Sequence, residues 1–115
     1  MVYNEKLAQR VRDNLHTDLP VEEKQMMGGL TFMVDGKMCV GIIRDNLMAR
    51  IDPQEYESAL TRIGCREMTF TGRPMKGFVF VGPQGTESDQ DIKYWLARAL
   101  FYNKQVKPSA KRKRK

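Results

Sequence analysis

Residues 26–51 read MMGGLTFMVDGKMCVGIIRDNLMARI, and this stretch decides the fold. Its short apolar blocks are broken at Asp35-Gly36 and again at Asp45-Asn46. Asp-Gly suits a two-residue hairpin turn because both central positions need positive φ, and Asp-Asn offers a weaker turn of the same kind. The pattern predicts three antiparallel strands in a meander. Gly28-Gly29, just before the first strand, permits backbone angles or close approaches that a side chain forbids.

Pairing across two-residue turns sets Val34 against Lys37, Phe32 against Cys39, Arg44 against Leu47 and Ile42 against Ala49. One face then carries Leu30, Phe32, Val34, Cys39, Ile43 and Met48, interrupted by Lys37, Gly41 and Arg50. The other carries Thr31, Met33, Met38, Val40, Ile42, Ala49 and Ile51. Neither face is polar, so cover is expected on both sides, from helices or from a second subunit in a homodimer.

Working outward, Asn4 is placed to cap a helix whose Leu7, Ala8, Val11 and Leu15 form one stripe. That helix should end by Asp18, because Pro20 disfavours helical geometry in Leu19. Val21 to Gln25 reads as a charged link. Downstream, Asp52-Pro53-Gln54-Glu55 combines a capping carboxylate, a proline at the first helical position and an acid placed for a reciprocal bond. The helix it starts should run to Ile63, burying Tyr56, Ala59, Leu60 and Ile63, with Gly64 beyond its end. Strands follow at residues 67–71 and 77–81, joined by the loop GRPMK of Gly72 to Lys76. Ser88 caps a last helix whose core face is Ile92, Trp95, Leu96, Ala99 and Leu100. The expected fold class is therefore α+β, an antiparallel meander sheet of about five strands with three packed helices in the order α-β-β-β-α-β-β-α.

A chain of 115 residues fits one domain with one core. Its net charge of +6 belongs to one end, since 7 of the 20 Lys and Arg residues lie in residues 104–115 and all 14 acids lie before them. The body, residues 1–103, is thus nearly neutral, and the tail, residues 104–115, lacks the apolar groups that offset ordering entropy and is expected to be disordered. Two cysteines and one histidine make neither a disulfide framework nor a metal cluster, and no cofactor is implied. Reduced, buried thiols are expected. No apolar run reaches the ~18 residues of a membrane span and the N-terminus is polar, so a cytoplasmic location is expected.

Five blocks stand in order along the chain: Met26 to Gly29, Val34-Asp35-Gly36-Lys37-Met38, the DNLMAR of Asp45 to Arg50, the FTGRPMKG of Phe70 to Gly77, and the final helix with Trp95. Together they resemble the N-terminal domain family of TfoX, also called Sxy, a regulator of DNA-uptake competence in bacteria. The similarity spans roughly residues 5 to 102. It implies a meandering antiparallel sheet with packed helices, a regulatory or protein-interaction role connected with transcription, and no agreed catalytic residues. Met27 stands where members often have an aromatic residue, and a basic tail stands where full regulators carry a second, helical domain.

Catalytic readings are thin. Cys39 or Cys65 with His16 would make a nucleophile and base, but a thiol in the apolar centre of a strand is ordinarily a packing group. Glu22, Glu23, Asp52, Glu55 and Glu57 read as caps and solvated surface, and most of the eight methionines read as core. Two features read as binding surface. Arg66, Arg73 and Lys76 are candidates for an anion or partner patch at one end of the sheet. Lys107, Lys111, Arg112, Lys113, Arg114 and Lys115 suit salt-sensitive, non-specific attraction to nucleic acid. The expectation is a non-enzymatic regulatory domain whose body binds a protein partner and whose tail touches nucleic acid. The alternative is a ligand-binding or catalytic pocket near Arg66, Arg73 and Lys76.

Overall fold

Six strands form one antiparallel sheet in the computed structural model, which describes residues 3–26, 28–69 and 74–106. β1 (Val21–Met26), β2 (Gly29–Val34), β3 (Lys37–Ile43) and β4 (Asn46–Arg50) are successive neighbours. β6 (Pro74–Val81) pairs with β4, and β5 (Cys65–Thr69) lies outside β6 as the second edge. The strand beyond the expected five is β1, read from sequence as a charged link. Its residues are almost all exposed, and it is held by its ladder to β2, from Val21↔Val34 to Met26↔Gly29. An edge strand needs only to lend backbone groups, so no apolar alternation announces it.

Asp35 and Gly36 turn β2 into β3 with φ of 55° and 76°, the positive angles for which Asp-Gly is suited. The next turn falls one residue earlier than expected, on Arg44-Asp45, because Ile43 pairs with Asn46. Arg44 takes φ 56°, and its carbonyl accepts a 2.7 Å bond from the Asn4 amide. This long-range contact holds a turn that local preference does not favour.

A bulge between the first two central strands is the larger correction. Phe32 pairs with Val40, not Cys39, while Met33 pairs with Met38, so Cys39 is an extra residue on β3. The one-residue offset sorts the faces anew. Leu30, Phe32 and Val34 share a face with Val40, Ile42, Leu47, Ala49, Val79 and Val81, and this face forms the core with all the helices. Thr31, Met33 and Met38 share the opposite face with Met48, Phe78 and Phe80. Met33 and Met38, expected inside, are half-buried there, whereas Met48 and Met68 are fully buried. Among the described residues, helices cover one face only.

α1 (Glu5–Asn14) starts as predicted, with Asn4 Oδ1 accepting from the Leu7 amide at 3.1 Å, and buries Leu7, Ala8 and Val11. Asp52 caps a single 3-10 turn, Pro53–Glu55, which leads into the one-turn α2 (Tyr56–Ala59). The expected run to Ile63 is cut short, and Ile63 is 76% exposed. Glu55 reaches across to Arg98 at 3.2 Å. α3 (Asp89–Asn103) opens on a reciprocal cap between Ser88 and Asp91 and sends Ile92, Trp95, Leu96 and Ala99 into the core. Lys37, an apparent intruder on an apolar face, is buried and satisfied: its Nζ donates to the carbonyls of Asn103 at 2.8 Å and Val106 at 3.0 Å. No helix among the described residues is long and apolar enough to cross a membrane.

Candidate functional site

The helix-free side of the sheet is a continuous surface built by register. One row of directly paired residues crosses all six strands: Arg66, Phe80, Met48, Gly41, Thr31 and Lys24. With neighbouring strands about 4.8 Å apart, the row spans roughly 24 Å. Exposed cations stand at both ends, and the centre is close-packed, with Met48, Gly41 and Thr31 buried among their neighbours. A Cβ on Gly41 would stand 2.9 Å from the Leu30 carbonyl oxygen and 3.0 Å from Met48 Cε, so Met48 lies where that side chain would be. In the adjoining row Phe78 pairs with Arg50, and Met38 with Met33.

The two phenylalanines are half-buried, and each carries an arginine over its ring. The Arg50 guanidinium lies 5.2 Å from the Phe78 centroid, and that of Arg66 lies 5.8 Å from the Phe80 centroid. Arg66 also donates to Asn46 Oδ1 at 2.7 Å. Of the other residues expected to form a patch with it, Lys76 lies on β6 about 13 Å along the strand from Phe80, the partner of Arg66. Arg73 falls outside the described residues, as do Lys107, Lys111, Arg112, Lys113, Arg114 and Lys115.

The helix side carries clefts. One, of about 540 Å³, is lined by Arg62, Ile63, Gln84, Glu87, Asp91 and Trp95. Arg62 lies 3.8 Å above the Tyr94 ring, tying the loop after α2 to α3. The cleft thus joins an exposed isoleucine and an indole to two carboxylates and an arginine. A second, also about 540 Å³, runs between the segment after α1 and the end of α3, past His16, Asp18, Asp35, Lys37 and Lys104.

A family profile for the TfoX N-terminal domain matches residues 13–101. The chain belongs to the TfoX N-terminal domain family. No curated protein and no solved structure matches it. In this TfoX N-terminal domain, family blocks map onto structural necessities: DGK supplies the β2–β3 turn and the lysine that receives the end of α3, and the helix with Trp95 closes the core.

Nucleophilic chemistry finds poor ground in this TfoX N-terminal domain. Burial pushes the Cys39 thiol up to about 12 and the Cys65 thiol up to about 11, the latter against the pull of Arg62 and Arg66. Neither is a ready thiolate at neutral pH. His16 Nε2 lies 2.9 Å from the Asp13 carbonyl, at the end of α1. Glu23 is held by two bonds from Arg12, at 2.7 and 2.8 Å, which lower its pKa and raise that of the arginine. Among the described residues, no three His, Cys, Asp or Glu side chains come together as a metal site. The residues that sequence reading passed over are Phe78 and Phe80. Their signal was the alternation Phe-Val-Phe, which reads equally well as a strand buried on both faces.

Proposed function

We propose that this domain is a non-enzymatic regulatory module that works by binding, with its folded body engaging a protein partner and its basic tail adding attraction to nucleic acid. The observation that carries the first part is Ile63, 76% exposed at the rim of the cleft floored by Trp95. An isoleucine so placed, beside Arg62, Glu87 and Asp91, offers an apolar anchor with charged groups of both signs around it. Membership of the TfoX family supports a regulatory role, and we assign that role to transcription and bacterial competence in the cytoplasm. A pocket chemistry centred on Arg66 has less support, since that side chain is engaged with Asn46 and Phe80.

The test is affinity capture from the source cell by the full chain and by Ile63→Asp, each with and without nuclease. The expected result is a protein captured by the wild type after nuclease treatment and lost from the variant. Equal capture by both would overturn the docking site. Turnover of a metabolite by the purified domain would overturn the non-enzymatic reading.

A further inference from the structure

We propose that the helix-free face of the sheet is a binding platform for single-stranded nucleic acid, with bases stacked on Phe78 and Phe80. This is separate from the protein-binding cleft, which lies on the other side of the molecule.

Three independent observations meet on that face. The first is its chemistry. Phe78 and Phe80 are two residues apart on β6, hence about 7 Å apart on one side of the sheet. Both rings are half-buried, neither one closed off from solvent, and Val79 and Val81 between and beyond them point into the core. Rings at this spacing on a sheet face accept successive unstacked bases, as they do in proteins that bind single strands.

The second is charge. Arg50 and Arg66 lie against the same two rings, while Arg66 and Lys24 end the row that crosses the sheet. Among the described residues, Glu22 is the acidic one on this face, paired in register with Met33 near the β1 edge. A flexible polyanion laid across the strands would therefore have cations at both ends of an apolar floor. The basic tail adds counterion release to the same ligand.

The third is the strand's own sequence. Lys76-Gly77-Phe78-Val79-Phe80-Val81 follows the K-G-F-x-F-V order by which RNA-recognition sheets turn two rings outward and aliphatic residues inward. It departs from that pattern at Val79, where a small residue is usual, and at Pro83, where a third aromatic is usual. The strand order of this sheet, β1-β2-β3-β4-β6-β5, is its own, so the common element is the physics of the strand and not kinship. An acidic peptide would meet the same charges, but paired outward rings under guanidinium planes fit bases better than they fit aliphatic anchors.

The experiment uses the full chain and a fluorescein-labelled 15-nucleotide oligo(dT), the matching oligo(U) and a 15-base-pair duplex, read by anisotropy over a salt series. Phe78→Leu and Phe80→Leu keep apolar volume and remove the aromatic faces; circular dichroism and urea melts confirm that each still folds. The expected result is tighter binding of single strands than of duplex, about five- to hundredfold weaker binding for each variant, and an unchanged salt slope. Ultraviolet crosslinking of the 4-thiothymidine oligonucleotide should mark the peptide containing Phe78 and Phe80. Wild-type affinity in both variants, or duplex bound as tightly as single strand, would overturn the proposal. So would a face whose phenylalanines matter for binding an acidic amphipathic peptide or for self-association in sedimentation, but not for the oligonucleotides. The Ile63→Asp variant should bind oligonucleotide as the wild type does, so failure of this platform and failure of the protein-docking cleft read out separately.

Discussion

Cys39 shows how much a single position can say once its surroundings are known. It is the extra residue of the β2–β3 bulge, it is fully buried, and burial alone lifts its thiol from an ordinary 9.0 to about 12. A thiol with a higher pKa folded than unfolded favours the fold while both states keep the proton. That advantage is lost as pH climbs above about 9, where the unfolded thiol ionises first. Stability should therefore fall from pH 8 to pH 10, and iodoacetamide at pH 8 should modify Cys39 quickly in urea and slowly in the native chain. Equal alkylation rates in the two states would refute the buried placement. Glu23 has the opposite sign. Its hydrogen bonds from Arg12 lower its pKa below the usual 4.5, so the contribution is present at neutral pH and disappears as acid protonates it. The Arg12 and Glu23 side chains are partly exposed, which limits the effect of Glu23→Gln to less than about 1 kcal/mol at pH 7 in urea unfolding, shrinking toward pH 3.

At the level of elements, the ends of α3 are fixed by different means, one local and one distant. Ser88 and Asp91 cap its start from within four residues, and the Ser88 cap was legible in the sequence. Its far end is held by Lys37, sixty-six residues away in the chain, and by Asn103 Nδ2 donating to the Val34 carbonyl at 3.2 Å. Lys37→Met should cost about 1–3 kcal/mol, because buried carbonyls lose their charged donor while the apolar stem is kept; urea unfolding measures it. The same contrast explains what sequence reading could reach. The Asp-Gly turn, the Asn4 and Ser88 caps and the stripe through Trp95 are local rules obeyed locally. β1, the bulge at Cys39 and the turn at Arg44 depend on backbone pairing or on a distant partner such as Asn4, which no window of adjacent residues contains. The candidate site suffered most, because a one-residue slip at the bulge exchanges the faces of everything downstream. Gly41→Ala tests the resulting surface directly. Its new methyl would meet the Leu30 carbonyl at 2.9 Å and Met48 Cε at 3.0 Å, so a loss of about 1–3 kcal/mol is expected in the same unfolding assay.

Across the whole molecule the proposed division of labour is between two faces and a tail. Helices close one side of the sheet, the opposite side presents rings and arginines, and the basic run Lys111 to Lys115 extends the sequence beyond both. Short-range stacking and long-range charge make different demands on a nucleic acid, and salt separates them. Stacking on rings changes affinity at every salt concentration alike, whereas each phosphate neutralised by a cation adds about 0.7 to the slope of log K against log salt for single strands. Replacing Lys111, Arg112, Lys113, Arg114 and Lys115 by glutamine in the full chain should therefore lower that slope by up to about 3.5 while the sensitivity to Phe78→Leu and Phe80→Leu persists. Equal slopes for the wild-type and glutamine-tailed chains would remove the tail from nucleic-acid binding and leave the sheet face to act alone. Loss of the phenylalanine effect along with the tail would instead mean that the tail positions the strand before the rings can hold it.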